Sequence, residues 1–149
     1  MNCLFCDLIK GIKTYHRNGL PFKILHETEN TLSFLSIDIP SKIGTHVLVV
    51  PKKHYVSLGK VPKSIQHELI EHVSFMVKVL RTKYDGCNVL LNDGKAAKQC
   101  QMHVHVHIIP RIKGDNIEIE VWEHQKYTNK YFIKQCSIIK GLIKTYKKC

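Results

Sequence analysis

The chain has 149 residues, 44% of them hydrophobic, with 23 Lys and Arg against 12 Asp and Glu and a formal net charge of +11. This length suits one compact domain over residues 1–149 with a substantial core, and no run approaches the roughly 18 apolar residues that a membrane span needs. The excess of positive charge suits phosphates, nucleic acid or anionic lipid, and it is also what a solvated lysine-rich surface gives.

The opening MNCLFCDLIKG places a cysteine pair where a signal peptide would have an apolar run, so the expected setting is intracellular, the cytoplasm first and the nucleus beside it. Six cysteines are scattered at Cys3, Cys6, Cys87, Cys100, Cys136 and Cys149, which favours free thiols or metal ligation over a disulfide set. Residues Cys6 to Lys10 read as a short helix ended by Gly11, and Gly19-Leu20-Pro21 marks a turn. Lys23 to Glu27, Thr31 to Ile37 and His46 to Val50 read as strands of a meander, closed by Pro51.

From Pro62 onward Ile65, Leu69, Val73, Met76, Val77, Leu80 and Tyr84 fall at helical spacing, with Ser64 as the expected N-terminal cap. Cys87 to Leu91 resembles a fourth strand, and Asn116 to Trp122 reads as a further short one. Tyr131, Ile138, Ile139, Leu142, Ile143 and Tyr146 form a second helical stripe, weakened by Gly141. The fold class expected is α+β: one mainly antiparallel, five-stranded sheet with a long central helix and a C-terminal helix.

The most informative run is Gln101 to Arg111, where His103, His105 and His107 alternate with Val104, Val106 and Ile108. Alternation on a strand turns the aliphatic side chains to a core and the imidazoles to the opposite face. Three imidazoles there suit a metal site or covalent catalysis, and a coincidence without chemical role has the same pattern. The preceding loop, Asn92 to Gln99, offers backbone N–H groups and an amide beside the histidines, as a phosphate would need; an ordinary Asp-Gly hairpin turn looks alike.

The string His103-Val104-His105-Val106-His107-Ile108-Ile109 resembles the signature of the histidine triad superfamily of nucleotide hydrolases and transferases. Leu32 to Asp38 with Gly44 to Pro51 looks like that family's ribose-binding strand pair, and Asp93-Gly94 through Gln99 like its phosphate loop. The resemblance implies that His105 attacks the α-phosphorus of a nucleotide and forms a covalent nucleotidyl-imidazole that water cleaves. It implies that His107 donates to the phosphate or leaving group, that Gln99 and Asn92 contact the phosphate, and that Asp38 binds the ribose hydroxyls. Phe5, Leu8, Phe34 and Ile37 are the implied walls of the base slot, each equally readable as core. His46 resembles a position packed beside the triad, and His16, His26, His67, His72 and His124 read as surface residues.

The spacing Cys3-Leu4-Phe5-Cys6 supplies half of a tetrahedral zinc site; two reduced surface cysteines or a redox pair are the other readings, the last lacking its usual strand and long helix. By resemblance to zinc-containing members of the family, His54 and His103 complete a structural Cys₂His₂ set with Cys3 and Cys6. Relatives carry glycine and a hydroxyl residue around the conserved-type glutamine, whereas this chain has Lys98 and Cys100. The thiol is the poorer hydrogen-bond donor.

The function so implied is release of a nucleoside monophosphate from dinucleoside polyphosphates or nucleoside phosphoramidates by a homodimer that takes purine nucleotides. Two alternatives stand beside it: nucleotidyl transfer to phosphate or a sugar phosphate, and a non-catalytic, zinc-stabilised module that binds nucleic acid or protein. Against the last, the basic residues lack the interleaved aromatics that stack on single strands.

Overall fold

The structure, a computed structural model, describes residues 3–38, 44–119 and 128–147. Its strands are β1 (Ile24–Glu27), β2 (Thr31–Leu35), β3 (Val47–Pro51), β4 (Gly86–Leu91) and β5 (Val106–Arg111), and its helices are α1 (Leu4–Ile9), α2 (Lys63–Arg81) and α3 (Asn129–Tyr146). The sheet runs β1-β2-β3-β5-β4 with every neighbour antiparallel, so the histidine-bearing strand enters between β3 and β4. His107 consequently pairs with Leu48 on one side and Leu90 on the other, which holds its backbone from both edges. This is the α+β, five-stranded arrangement expected.

Strands β2 and β3 are buried along their whole length because both faces of the sheet are covered. Val47 and Val49 join Val106, Ile108, Met76, Leu80 and Ile139 beneath α2 and α3. Leu48 and Val50 turn the other way, to Leu32, Phe34, Phe5 and Leu8 beneath α1. Val104, Val106 and Ile108 all lie in the larger core, as strand alternation requires.

Several boundaries differ from the sequence reading. The first helix begins at Leu4, two residues early, which places Cys3 at its N-cap position and Cys6 inside it. Helix α2 begins at Lys63 after Pro62, without a side-chain cap; Ser64 already lies within the first turn, and the Pro62 carbonyl accepts from Gln66 N at 2.9 Å. Residues 116–119 form no strand, since Arg111 donates to the Ile117 carbonyl and Asp115 accepts from Ile117 N, curling this segment back; 120–122 lie outside the described residues, as does His124. On α3 the buried stripe is Phe132, Gln135, Cys136, Ile139 and Ile143, which keeps Ile139 and Ile143 of the expected stripe and is otherwise turned about the helix axis from it.

The loop entering β3 is fixed by α3. Gly44 has φ +71°, a left-handed conformation that favours glycine, and a Cβ there would displace the Tyr131 hydroxyl. Next to it Thr45 Oγ1 donates to Gln135 Oε1 at 3.3 Å, and His46 follows with no exposure to solvent.

Candidate active site and metal centre

His103 and His105 lie just ahead of β5 in an irregular segment rather than within its ladder, the strand proper starting at Val106. Val104 N donates to the Tyr55 carbonyl at 2.7 Å, which pins the segment to the chain beyond β3. Leaving the ladder allows the histidines to take separate surroundings. His105 and His107 line a cavity of about 420 Å³, while His103 turns to a buried cluster behind it.

A carbonyl oxygen only accepts hydrogen bonds, so each imidazole nitrogen that meets one must carry the proton. His105 Nδ1 donates to the His103 carbonyl at 2.6 Å, leaving the lone pair on Nε2. Burial lowers the His105 pKa below its usual value, against the opposing pull of that carbonyl, which favours the neutral and nucleophilic ring. His46 Nδ1 donates to the Asp38 carbonyl, so His46 Nε2 accepts from His107 Nδ1 at 2.9 Å. Burial, then the neighbouring His46 and His105, drives the His107 pKa far down. A neutral His107 oriented in this way carries its proton toward His46, and it becomes a donor from Nε2 only by taking up a second proton. The negative charge of a phosphate in the cavity favours that uptake.

Of the residues expected to contact substrate, Asp38, Asn92, Phe5, Phe34 and Ile37 all line the cavity. Leu8 does not: it is 2% exposed and belongs to the small core beneath α1, because the helix presents Phe5 to the cavity and Leu8 to the sheet. Gln99 also lies outside the cavity lining. Its Oε1 accepts from Gly94 N at 2.7 Å and its Nε2 donates to the Val56 carbonyl at 3.1 Å, so the amide braces the loop instead of facing a phosphate. Lys98, Cys100 and Gln101 line the cavity in its place. Lys98 adopts φ +61°, the left-handed conformation that a glycine would take without strain, and the Cys100 thiol donates to the Lys98 carbonyl at 3.5 Å. Arg17 and Lys98 bring positive charge to the lining and Asp38 the one carboxylate among the residues that form it.

Sequence reading missed the place of His16. It is 6% exposed, not a surface residue, and it also lines the cavity. His72 is likewise buried, at 2% exposure, with Nδ1 bonded to Thr31 Oγ1 and Nε2 to Ser33 Oγ. The turn signal at Gly19 was the one available clue for His16, and it does not say which way the loop folds.

Behind the cavity Cys3, Cys6, His54 and His103 converge, their four donor atoms all within 4.8 Å of one another. Tetrahedral zinc, with bonds of about 2.05 Å to nitrogen and 2.3 Å to sulfur, would separate two nitrogens by about 3.3 Å and nitrogen from sulfur by about 3.6 Å. The nitrogens of His54 and His103 stand 3.3 Å apart, and the sulfur–nitrogen separations are 3.4, 3.5 and 3.6 Å. His103 Nε2 donates to the Pro51 carbonyl at 2.8 Å, which leaves the Nδ1 lone pair facing the sulfurs, the orientation that a ligand needs. Gln101 Nε2 donates to Cys3 Sγ at 3.4 Å and so joins the cluster to the cavity wall. The donor set therefore fits a tetrahedral metal ion.

A profile of the HIT domain family matches residues 18–114. The chain is 39% identical over 122 residues to an uncharacterised HIT-like protein of Methanocaldococcus jannaschii, covering 81% of this chain and 88% of that one. It is 36% identical over 116 residues to an adenosine 5'-monophosphoramidase of Candida albicans, covering 74% and 70%. Among solved structures, a zinc-bound histidine triad family protein of Mycobacterium smegmatis superposes with a TM-score of 0.80 at 26% identity, covering 99% of this chain and 97% of that one. With the family profile spanning most of the chain and relatives above 30% identity along most of its length, this chain belongs to the HIT domain family.

Proposed function

We propose that the chain hydrolyses the α-phosphate linkage of a nucleotide derivative through a covalent intermediate on His105, releasing a nucleoside monophosphate. The chain is a HIT-family hydrolase, and its relative from Candida albicans is named for action on adenosine 5'-monophosphoramidate. The observation that carries the mechanism is the bond from His105 Nδ1 to the His103 carbonyl, which leaves Nε2 as the nucleophilic atom. As Nε2 forms its bond to phosphorus and the leaving group departs, the ring gains positive charge, and the carbonyl at 2.6 Å stabilises it. His107, protonated on binding the phosphate, gives its Nε2 proton to the departing oxygen or nitrogen. Water then attacks phosphorus, the phosphorus–Nε2 bond breaks, and the proton lost by water returns to His107. Asp38 takes the ribose hydroxyls, Phe5, Phe34 and Ile37 wall the base, and Asn92, with Lys98, meets the phosphates.

Cys3, Cys6, His54 and His103 would hold zinc as a structural ion, consistent with the separations above and with the zinc-bound relative. Such an ion ties the N-terminal helix to the segment that bears His105. We also read the chain as a homodimer, since β4 is an edge strand whose outer side meets no other strand among the described residues. Light scattering tests that state. The activity is tested with adenosine phosphoramidate, diadenosine polyphosphates and a nucleotide sugar, following release of AMP or the corresponding monophosphate. Fast release from the phosphoramidate and slower release from the polyphosphates is expected; no release from any of them overturns the proposal.

A further inference from the structure

The loop between α1 and β1 brings one more histidine to the cavity. Tyr15 bridges Pro21, His16 N donates to the Leu20 carbonyl at 2.8 Å, and Gly19 N donates back to the His16 carbonyl at 3.0 Å. Gly19 has φ +79°, so the segment is a tight hairpin of three loop residues closed by a left-handed glycine. The hairpin folds inward and seats the His16 ring against Phe22, Phe34 and Phe132 at centroid distances of 5.7–5.9 Å. Ring contacts continue from Phe34 to Phe5 at 5.3 Å and from Phe5 to His105 at 5.6 Å, so two aromatic rings stand between His16 and the nucleophile. His16 precedes the span matched by the HIT-domain profile, which starts at residue 18.

His16 Nε2 is buried and has no hydrogen-bond partner among the described residues, an uncommon state for a native polar group and one that a ligand would relieve. We infer that His16 hydrogen-bonds the edge of the nucleobase and thereby adds a base-binding contact to the nucleotide site. The inference rests on the nucleotide reading of the cavity above. Burial brings the His16 pKa down to about 4, so the ring is neutral at physiological pH and keeps one donor and one acceptor. His46, His103 and His105 each have their proton placed by a backbone carbonyl, whereas no such bond fixes the His16 tautomer. His16 can therefore donate to the keto oxygen of one base or accept from the amino group of another, and it supports base binding without choosing between them.

The test is calorimetric binding of AMP, IMP and ribose 5-phosphate to the full chain and its variants. The wild type is expected to bind AMP and IMP within a few-fold of each other. His16→Phe, which keeps the aromatic packing, should weaken both by roughly fivefold to tenfold, the loss of one hydrogen bond. Binding of ribose 5-phosphate should not change, and His16→Gln should recover much of the AMP affinity. Unaltered AMP binding by His16→Phe overturns the inference, and so does equal weakening of AMP and ribose 5-phosphate, which marks a purely structural histidine. A preference beyond tenfold between AMP and IMP overturns the tautomer argument. If the wild type binds neither nucleotide, it is the nucleotide reading itself that fails.

Discussion

His103 and His105 are two residues apart and both buried, yet their imidazoles are set in opposite tautomers. His103 gives its Nε2 proton to Pro51 and turns Nδ1 to the sulfurs of Cys3 and Cys6; His105 gives its Nδ1 proton to His103 and leaves Nε2 unprotonated. Neither assignment comes from the ring itself. Each follows from which backbone carbonyl lies beside it, so the fold gives two identical side chains opposite free nitrogens, one suited to the ligand role and one to the nucleophile role proposed above. The bond between them also makes the backbone of the proposed ligand the support of the proposed nucleophile.

The largest expected effect breaks the His105 half of that division. His105→Asn should cut AMP release by at least about 10⁴-fold while leaving the metal content and thermal midpoint near those of the wild type. A variant that keeps more than about one hundredth of the activity would remove His105 from the role. The reciprocal change, Cys3→Ser with Cys6→Ser, should abolish zinc binding by metal analysis and lower the unfolding free energy by several kcal/mol, on the order of 3–5. Turnover per folded molecule should stay within about tenfold, because the cluster positions the segment without meeting substrate. Equal metal content in the double variant would refute the site. A collapse of turnover at intact stability would mean that the two histidines are not divided as described.

A third change sharpens the comparison by moving one bond outward. His46 holds His107 as the His103 carbonyl holds His105, through a side chain instead of the backbone. His46→Leu removes the acceptor for His107 Nδ1, and kcat should fall about 10²-fold with KM changed by less than about threefold, since a proton donor is misplaced while the phosphate contacts remain. A rise in KM without loss of kcat would instead place His46 in binding.

Much of this was legible in the sequence because it depends on local pattern. The alternation through Val104, Val106 and Ile108 gave the core-facing side of the segment, and the spacing of Cys3 and Cys6 gave two donors able to reach one ion. Four other features depend on how a segment folds and on which backbone groups it then meets. The Gln99 amide is occupied by Gly94 N and the Val56 carbonyl, Leu8 is drawn into the core beneath α1, His16 is folded inward by a hairpin, and residues 116–119 are curled by Arg111 and Asp115. Type and spacing cannot distinguish a glutamine that holds a loop from one that holds a phosphate. The carbonyls of Pro51 and Asp38, which set the tautomers, carry no signal in a sequence at all.

His72 supplies the counterexample, and the smallest effect. It is as buried as His103 and His105, but Thr31 and Ser33 occupy both of its nitrogens inside the core, so no lone pair or proton is left to act on a ligand. Its chemistry should appear only as pH-dependent stability. Burial, with a smaller contribution from His26, lowers its pKa from 6.5 to about 4, so between these values the unfolded chain binds more protons than the folded one. Stability from this group is therefore complete above pH 6.5 and is lost as pH falls toward 4. Moving from about pH 7.5 to about pH 5 should cost about 2 kcal/mol through His72. Urea unfolding at the two pH values should show that loss reduced by about this amount in His72→Gln, whatever the metal cluster contributes to both proteins. An identical pH dependence would mean that the folded core accommodates the charged ring, and that burial alone does not decide whether a histidine in this fold is free to titrate.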